Sequence, residues 1–184
     1  EKIFPASDLS EQISTAGTEA SGTGCMKFMM NGALTIGTYD GANIEIAEAV
    51  GEDNIFVFGR RVEELKNMAG SYNPREFIER SPVLSEIMRL IKNNFFSTAE
   101  PGIFDPIWDS IENADRFFVA ADFDAYLAMQ ENVSRLYSDR KKWTEKSILN
   151  VARSGRFSSD RTVAQYADDI WKVKHSVLSH SQKR

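Results

Sequence analysis

The sequence contains little cysteine and histidine. Cys25 is its single cysteine in 184 residues, so no disulfide can form within the chain, and a reducing, cytoplasmic compartment is expected. The two histidines, His175 and His180, lie in a polar C-terminal stretch, where we expect them to be exposed to solvent. Cysteine and histidine form no cluster with the spacing of metal ligands, so the sequence predicts no metal site.

Long apolar runs are also lacking. No stretch of about 18 apolar residues occurs, and no basic segment leads into an apolar one, so we expect neither a membrane span nor an export signal. Charged residues make up 27% of the chain and hydrophobic residues 42%, a balance typical of a globular domain. The net charge of −5 gives no reason to expect nucleic acid or an anionic membrane as a partner. A phosphate ligand would therefore need local basic groups or backbone N–H groups.

The glycines are concentrated in the first third of the chain. Six of the eleven lie between Thr15 and Asn43, a density typical of backbone that closely approaches a ligand or another segment. Short apolar segments predict three strands, at residues 33–37, 54–59 and 116–120. Strands that alternate with helices predict an α/β fold with a mostly parallel sheet and a helix-rich C-terminal half.

Residues that favour helix starts recur along the remaining sequence. We expect helices to begin at the following positions: Asp40, Ser81 with Pro82, Asp122, Ser138 with Asp139, and Ser159 with Asp160. Apolar residues at helical spacing predict the buried face of each helix. In the last helix these residues are Val163, Ala164, Ala167, Ile170 and Trp171. All three tryptophans are expected in the core: Trp108, Trp143 and Trp171.

A parallel sheet of three strands is small. Sheets average about five to six strands, and a parallel edge without a neighbour is prone to aggregation. The chain also starts at Glu1 rather than at a methionine. We therefore expect it to be the later part of a longer protein whose upstream portion completes the sheet.

The most informative segment runs from Ser14 to Gly32. A loop rich in Gly, Ser and Thr leads into residues 25–31, which have a helical composition. The first N–H groups of a helix are free to bind an anion, and the helix dipole favours negative charge there. Lys27 lies one turn into this helix among apolar neighbours, and apolar surroundings lower the pKa of an amine and make it more nucleophilic.

Such a segment combines the two groups that pyridoxal phosphate requires, a phosphate site and an amine for its aldehyde. The spacing is neither that of a Walker motif nor that of GxGxxG. On these residues alone, a flexible loop followed by a helix with a solvated lysine is an equal alternative.

Longer strings of residues decide between these alternatives. They are SEQISTAGTEASGTG at 10–24, Met26-Lys27-Phe28, NGALTIGT at 31–38, DGANIE at 40–45, NIFVFG at 54–59, DRF at 115–117, QE at 130–131 and FSSDRTVAQY at 157–166. Together they closely resemble glycogen, starch and maltodextrin phosphorylases, the α-glucan phosphorylases, and the first three resemble the pyridoxal phosphate motif of that family. The resemblance extends over nearly the whole chain.

The resemblance implies a cofactor and a set of site residues. Lys27 would form the Schiff base with pyridoxal 5'-phosphate. Thr23 and Gly24 would hold the phosphate of the cofactor at the helix start. The hydroxyls of glucose would be held by the preceding loop, which consists of Glu19, Ala20, Ser21 and Gly22.

The resemblance also implies an activity and a fold. The cofactor phosphate would relay a proton to inorganic phosphate, which attacks the terminal α-1,4-linked glucose of the glucan and releases glucose 1-phosphate. The fold would be the two-domain glycosyltransferase B type, with residues 1–184 forming the later part of its C-terminal Rossmann-like domain. The basic residues for substrate phosphate and the N-terminal domain would lie upstream, so the chain alone is expected to be inactive. A cytoplasmic homodimer is expected.

Cys25 departs from the family, which usually has asparagine two residues before the lysine. Cysteine is smaller and a weaker hydrogen-bond partner than asparagine. Its thiol is expected either to be a small buried group or to be acidified by the anion site and oxidisable. Two other readings of the chain stay open: a cofactor- or phosphate-binding module without turnover, and an interaction fragment.

Overall fold

The computed structural model describes residues 2–19 and 22–173. Within these residues, β1 (Leu9–Gln12), β2 (Leu34–Thr38) and β3 (Phe56–Phe58) form a sheet in that spatial order. Both pairings are parallel, with Leu9 opposite Leu34. The carboxyl ends of the three strands therefore lie at the same edge of the sheet.

Helices make up most of the remaining described chain. In order they are α1 (Ile3–Ala6), α2 (Thr23–Met30), α3 (Ala42–Val50), α4 (Val62–Ala69), α5 (Pro74–Arg80), α6 (Pro82–Lys92), α7 (Asp105–Asp109), α8 (Val119–Ser138), α9 (Arg140–Arg153) and α10 (Ser159–Gln165). Wider helical turns, Ser110–Ala114 and Tyr166–Trp171, continue α7 and α10. None of the helices described here is both long and apolar enough to cross a membrane.

The sheet lies between two helical layers. Side chains alternate along a strand, so Leu34 and Ile36 of β2 share one face, where they pack against Val133 of α8 and Trp143 of α9. The opposite face is covered by α2 and α3, which form a second buried cluster. All five residues of β2 are buried, so this strand is the centre of the domain. This architecture confirms the predicted α/β class with a parallel sheet and many helices.

Two of the three predicted strands are confirmed, at β2 and β3, and the third is wrong. Residues 116–118 form the turn into α8 and residues 119–120 begin that helix, because the carboxylate of Asp115 accepts the N–H groups of Val119 and Ala120, each at 2.8 Å. The strand β1 is not predicted by the sequence. Its four residues include one apolar side chain, Leu9, so they carry no apolar pattern.

Three predicted helix starts are confirmed. The side chain of Ser81 accepts the N–H of Leu84 at 3.3 Å at the start of α6. Asp139 accepts the N–H of Lys142 at 3.2 Å at the start of α9. The last helix, α10, begins at Ser159 as predicted, although its capping side chain is the preceding Ser158.

The helices predicted to begin at Asp40 and Asp122 are present as α3 and α8, but neither begins at its aspartate. The helix α3 begins after Gly41 without a side-chain cap, and Asp40 instead bonds to a loop that precedes it in the sequence. Asp122 lies within the first turn of α8, and its carboxylate pairs with the guanidinium of Arg60 at 3.0 Å. Both carboxylates have partners that are distant in sequence, which local capping preferences do not reveal.

The expected inner face of the last helix is also wrong. Of its five predicted core residues, only Ala167 is buried, whereas Val163, Ile170 and Trp171 are 54%, 63% and 57% exposed. Apolar spacing predicts a face that can pack but does not identify its partner.

The core position is confirmed for Trp143, which is buried, and Trp108 packs partly buried against the cluster around α6. The predictions for His175 and His180 lie outside the described residues.

Candidate functional site

The segment singled out by its glycines lies at the carboxyl edge of the sheet. The chain leaves β1 at Gln12, passes over the end of β2 as a loop, and enters α2 at Thr23. In open parallel sheets, ligands bind outside this edge. We call residues 13–19 and Gly22 the edge loop.

The start of the edge loop is held by three hydrogen bonds. The hydroxyl of Thr38 donates to the carbonyl of Ser14 at 2.6 Å, and the hydroxyl of Thr15 donates to the carbonyl of Phe117 at 2.8 Å. The N–H of Thr18 donates to the carbonyl of Thr15 at 3.0 Å, which closes a tight turn with Gly17 at a φ of +89°. Hydrogen bonds within the protein therefore fix the conformation of the start of the edge loop.

Asp40 holds the far end of the edge loop. Its Oδ2 atom accepts the N–H groups of Glu19 at 2.8 Å and Thr18 at 3.2 Å, and the hydroxyl of Ser14 lies at 3.5 Å. Asp40 is buried and follows β2 by two residues. Its position directly after a buried strand is the sequence signal that could have revealed this role, since polar residues there face the ligand edge.

Asn43, at the start of α3, ties two strand ends together. Its amide nitrogen donates to the carbonyls of Gln12 at 3.3 Å and Thr38 at 3.0 Å. The Oδ1 atom of the same side chain is buried and has no hydrogen-bond partner in the described part of the chain. This side chain lines a cavity of about 160 Å³ whose other polar walls include Glu11, Glu19 and Asp40. A cavity walled by oxygen acceptors suits hydroxyl donors and repels anions.

The start of helix α2 suits an anion, in contrast to the acceptor cavity. The helix begins after Gly22, which has a φ of +84°, and its first-turn N–H groups lie at the positive end of the helix dipole. Thr23 and Lys27 are four residues apart, so they share one face of the helix, and both are exposed.

The surroundings of Lys27 differ from the sequence prediction. Apolar neighbours in sequence were expected to enclose the amine, but the helix places Cys25 and Met29 on its buried face and Lys27 on its exposed face. The ammonium lies 5.8 Å from the ring centroid of Phe4. The 3.6-residue period of the helix separates sequence neighbours onto different faces.

The structure brings most of the predicted site residues to one place. Glu19 and Gly22 line the acceptor cavity, and a Cβ added to Gly22 would lie 3.6 Å from Cγ of Glu19. Thr23, Gly24 and Lys27 follow directly on α2. Ala20 and Ser21 lie outside the described residues. In the described ranges, no three His, Cys, Asp or Glu side chains are arranged to hold a metal ion.

Cys25 is a buried structural thiol. Its Sγ donates to the carbonyl of Gly22 at 2.7 Å, and its residue is 2% exposed. Burial raises the pKa of the Cys25 thiol above its usual value. Of the two expectations for this residue, the small buried group is confirmed and the acidified thiol is wrong.

We predict that Cys25 is unreactive in the folded protein. Because the raised pKa and the burial both suppress the thiolate, iodoacetamide at pH 8 is expected to modify Cys25 at least about tenfold more slowly in the native protein than in urea. Peptide mass spectrometry resolves this cysteine from any others. Equal rates with and without urea would contradict the prediction.

A second cavity, of about 410 Å³, also borders the edge loop, at Ile13, Ser14, Thr15 and Thr18. Its walls are mostly aromatic and aliphatic, and they include Ile13, Phe58, Phe117 and Tyr126. Asp122 is its charged wall residue, and burial raises the pKa of that carboxyl despite the neighbouring Arg60. None of the predicted site residues lines this cavity, and its walls are unsuited to phosphate.

The fold and the edge loop define an α/β domain with a helix start and an acceptor-rich cavity side by side at the carboxyl edge of a parallel sheet. The model of the carbohydrate phosphorylase family matches residues 1–173. The chain belongs to the carbohydrate phosphorylase family, so the resemblance read from its motifs is confirmed.

Its curated relatives are named glycogen phosphorylases. The chain is 54% identical to the muscle form of Rattus norvegicus over 177 residues, which are 96% of this chain and 21% of the relative. It is 55% identical to the brain form of Mus musculus over 179 residues, which are 97% of this chain and 21% of the relative. The human muscle form is 54% identical, over 96% of this chain and 21% of its own length. The chain thus spans about a fifth of the length of these relatives.

Proposed function

We propose that this chain is part of an α-glucan phosphorylase that binds pyridoxal 5'-phosphate at Lys27. The observation that carries the proposal is the pairing of Thr23 and Lys27 on one exposed face of α2, at the helix start that follows the edge loop. Membership of the carbohydrate phosphorylase family supports it. The protein would release glucose 1-phosphate from terminal α-1,4-linked glucose of a glucan such as glycogen.

The residues present fit the cofactor. The N–H groups at the start of α2 and the hydroxyl of Thr23 are donors for a phosphate, and Gly24 adds no side chain that would obstruct it. The exposed amine of Lys27 is accessible to an aldehyde. When bound, pyridoxal phosphate supplies a phosphate group for acid–base chemistry next to inorganic phosphate.

The sugar would be held on the other side of the Gly22 turn. Glu19 and Gly22 line a cavity whose polar walls include the carboxylates of Glu11 and Asp40, and the hydroxyl groups of glucose are donors. The 14–19 backbone is tied to β2, so Glu19 is held on a rigid support. The loop residues would orient the glucose while the start of α2 holds the phosphate. The neutral sugar and the charged phosphate would thus be bound by different residues.

The proposal also concerns the place of these residues in the complete protein. Residues 1–184 would be the later part of the C-terminal Rossmann-like domain of a two-domain glycosyltransferase B fold. The parallel sheet with helices on both faces supports this placement. The other strands and the basic residues for inorganic phosphate would come from the upstream part, so this chain alone would not turn over. The protein would be a cytoplasmic homodimer.

The test uses the complete protein that carries this chain. Its absorbance should reveal a bound pyridoxal chromophore, and glycogen with inorganic phosphate should yield glucose 1-phosphate. Cofactor without glucose 1-phosphate would favour a binding module without turnover. Absence of both would contradict the proposed function.

A further inference from the structure

We infer that Asp40 is the positioning residue of the edge loop for binding of the sugar, an inference that rests on the proposed function. A single carboxylate oxygen of Asp40 accepts the backbone N–H of Glu19 at 2.8 Å and that of Thr18 at 3.2 Å. The bond to Glu19 fixes the main chain of a residue that lines the acceptor cavity. Asp40 therefore acts on the sugar through Glu19.

The main chain of Asp40 is itself fixed. Its N–H donates to the carbonyl of Thr38 at 2.9 Å, and its carbonyl accepts the N–H of Asn43 at 3.1 Å. These bonds lock the residue between the end of β2 and the first turn of α3, and the side chain is buried. Asp40 therefore holds the edge loop in a fixed position relative to the central strand β2.

The other anchors of the loop do not replace Asp40. Thr38 and Phe117 bind the start of the loop, at Ser14 and Thr15. Asp40 reaches its far end, next to the residues that lead into α2. Hydrogen bonds to an ionised carboxylate are about twice as strong as neutral ones, so a charged acceptor at this point holds the loop more tightly than an amide would.

Two substitutions separate charge from geometry. Asp40→Asn keeps one acceptor oxygen and loses the charge, whereas Asp40→Ala removes the acceptor. In the complete protein we expect kcat/KM with glucose 1-phosphate to fall about 100-fold in Asp40→Ala and about tenfold in Asp40→Asn. The cofactor absorbance should be unchanged in both variants, because none of the hydrogen bonds described for Asp40 goes to α2.

Hydrogen exchange measures the loop directly, whatever the protein turns over. In Asp40→Ala the amide of Glu19 should exchange at least about tenfold faster, while the amides of β2 should keep their protection. Asp139→Ala is the matched control, since Asp139 also accepts a backbone N–H, from Lys142, but lies on exposed surface at the start of α9. It should leave both the exchange of Glu19 and kcat/KM unchanged.

A double-mutant cycle with Glu19→Gln distinguishes positioning from general stability. If Asp40 acts through Glu19, the loss caused by Glu19→Gln should be at least about tenfold smaller in the Asp40→Ala background than in the unaltered protein. Additive losses, or unchanged exchange at Glu19, would overturn the inference while leaving the proposed function intact. An unaltered protein without cofactor or turnover would overturn both.

Discussion

Replacement of Lys27 by alanine is expected to abolish both cofactor binding and turnover in the complete protein. Lys27 is the one lysine of α2, and its amine shares the exposed face with Thr23 at the proposed phosphate site. Without the amine, the cofactor loses its covalent attachment and its acid–base phosphate is no longer held in place. We expect turnover to fall by about 1,000-fold or more, with loss of the pyridoxal absorbance.

The effect of Lys27→Ala should not come from unfolding. Lys27 is exposed and lies outside the buried cluster formed by Cys25 and Met29, so its truncation leaves the packing of α2 unchanged. Lys141→Ala is a suitable control, because the Lys141 side chain is 86% exposed on α9 and lies 4.0 Å from its one partner in the described ion pairs, Glu145. The control should keep full cofactor and turnover. A Lys27→Ala protein that retains its cofactor would refute the assignment of this lysine.

Replacement of Gly37 by alanine is expected to produce the largest loss of stability. A Cβ at Gly37 would lie 2.5 Å from the carbonyl oxygen of Gln12 and 2.5 Å from Nδ2 of Asn43. Neither atom can move freely, because Gln12 belongs to the neighbouring strand and Asn43 bridges both strand ends. Overpacking of this kind costs about 2 to 3 kcal/mol in the free energy of unfolding of the domain.

Hydrogen exchange of the β2 peptide under increasing urea measures this loss in the complete protein. Gly70→Ala is the matched control, since Gly70 has a φ of −73° at the end of α4 and no heavy atom within 4 Å of an added Cβ. It should be neutral or stabilising by about 0.5 kcal/mol. Equal stability of the two variants would show that the β1 and β2 ends can separate without cost.

Local sequence was sufficient for elements that carry their own signal. Residues 33–37 are apolar enough to indicate a buried strand, and Ser81 before Pro82 indicates a helix start, and both are confirmed. The strand β1 gave no such signal, because its pairing with β2 rather than its own side chains makes it a strand. Residues 116–120 gave a false strand signal, because the carboxylate of Asp115 starts a helix there.

The candidate site likewise has features that the sequence reveals and features that it does not. The motif around Lys27 was visible as a string of residues, and family membership confirms the resemblance on which it depends. The position of Asp40 after a buried strand hinted at a place on the ligand edge, but its partners were not visible, because Thr18 and Glu19 lie 22 and 21 residues away. The residues alone left open whether Lys27 is solvated and whether Cys25 is buried, and the helix decides both by placing Lys27 on its exposed face and Cys25 in the core.

The sequence by itself determined the family, the glycine-rich loop that precedes a helix with an embedded lysine, and most of the elements of an α/β domain. These properties are carried by consecutive residues or by short periodic spacing. Only the tertiary structure decided that the loop is held by Asp40 and that Asn43 joins the ends of β1 and β2. Contacts of this kind join residues that are close only after the sheet has formed, and no local pattern encodes which carboxylate meets which backbone N–H group.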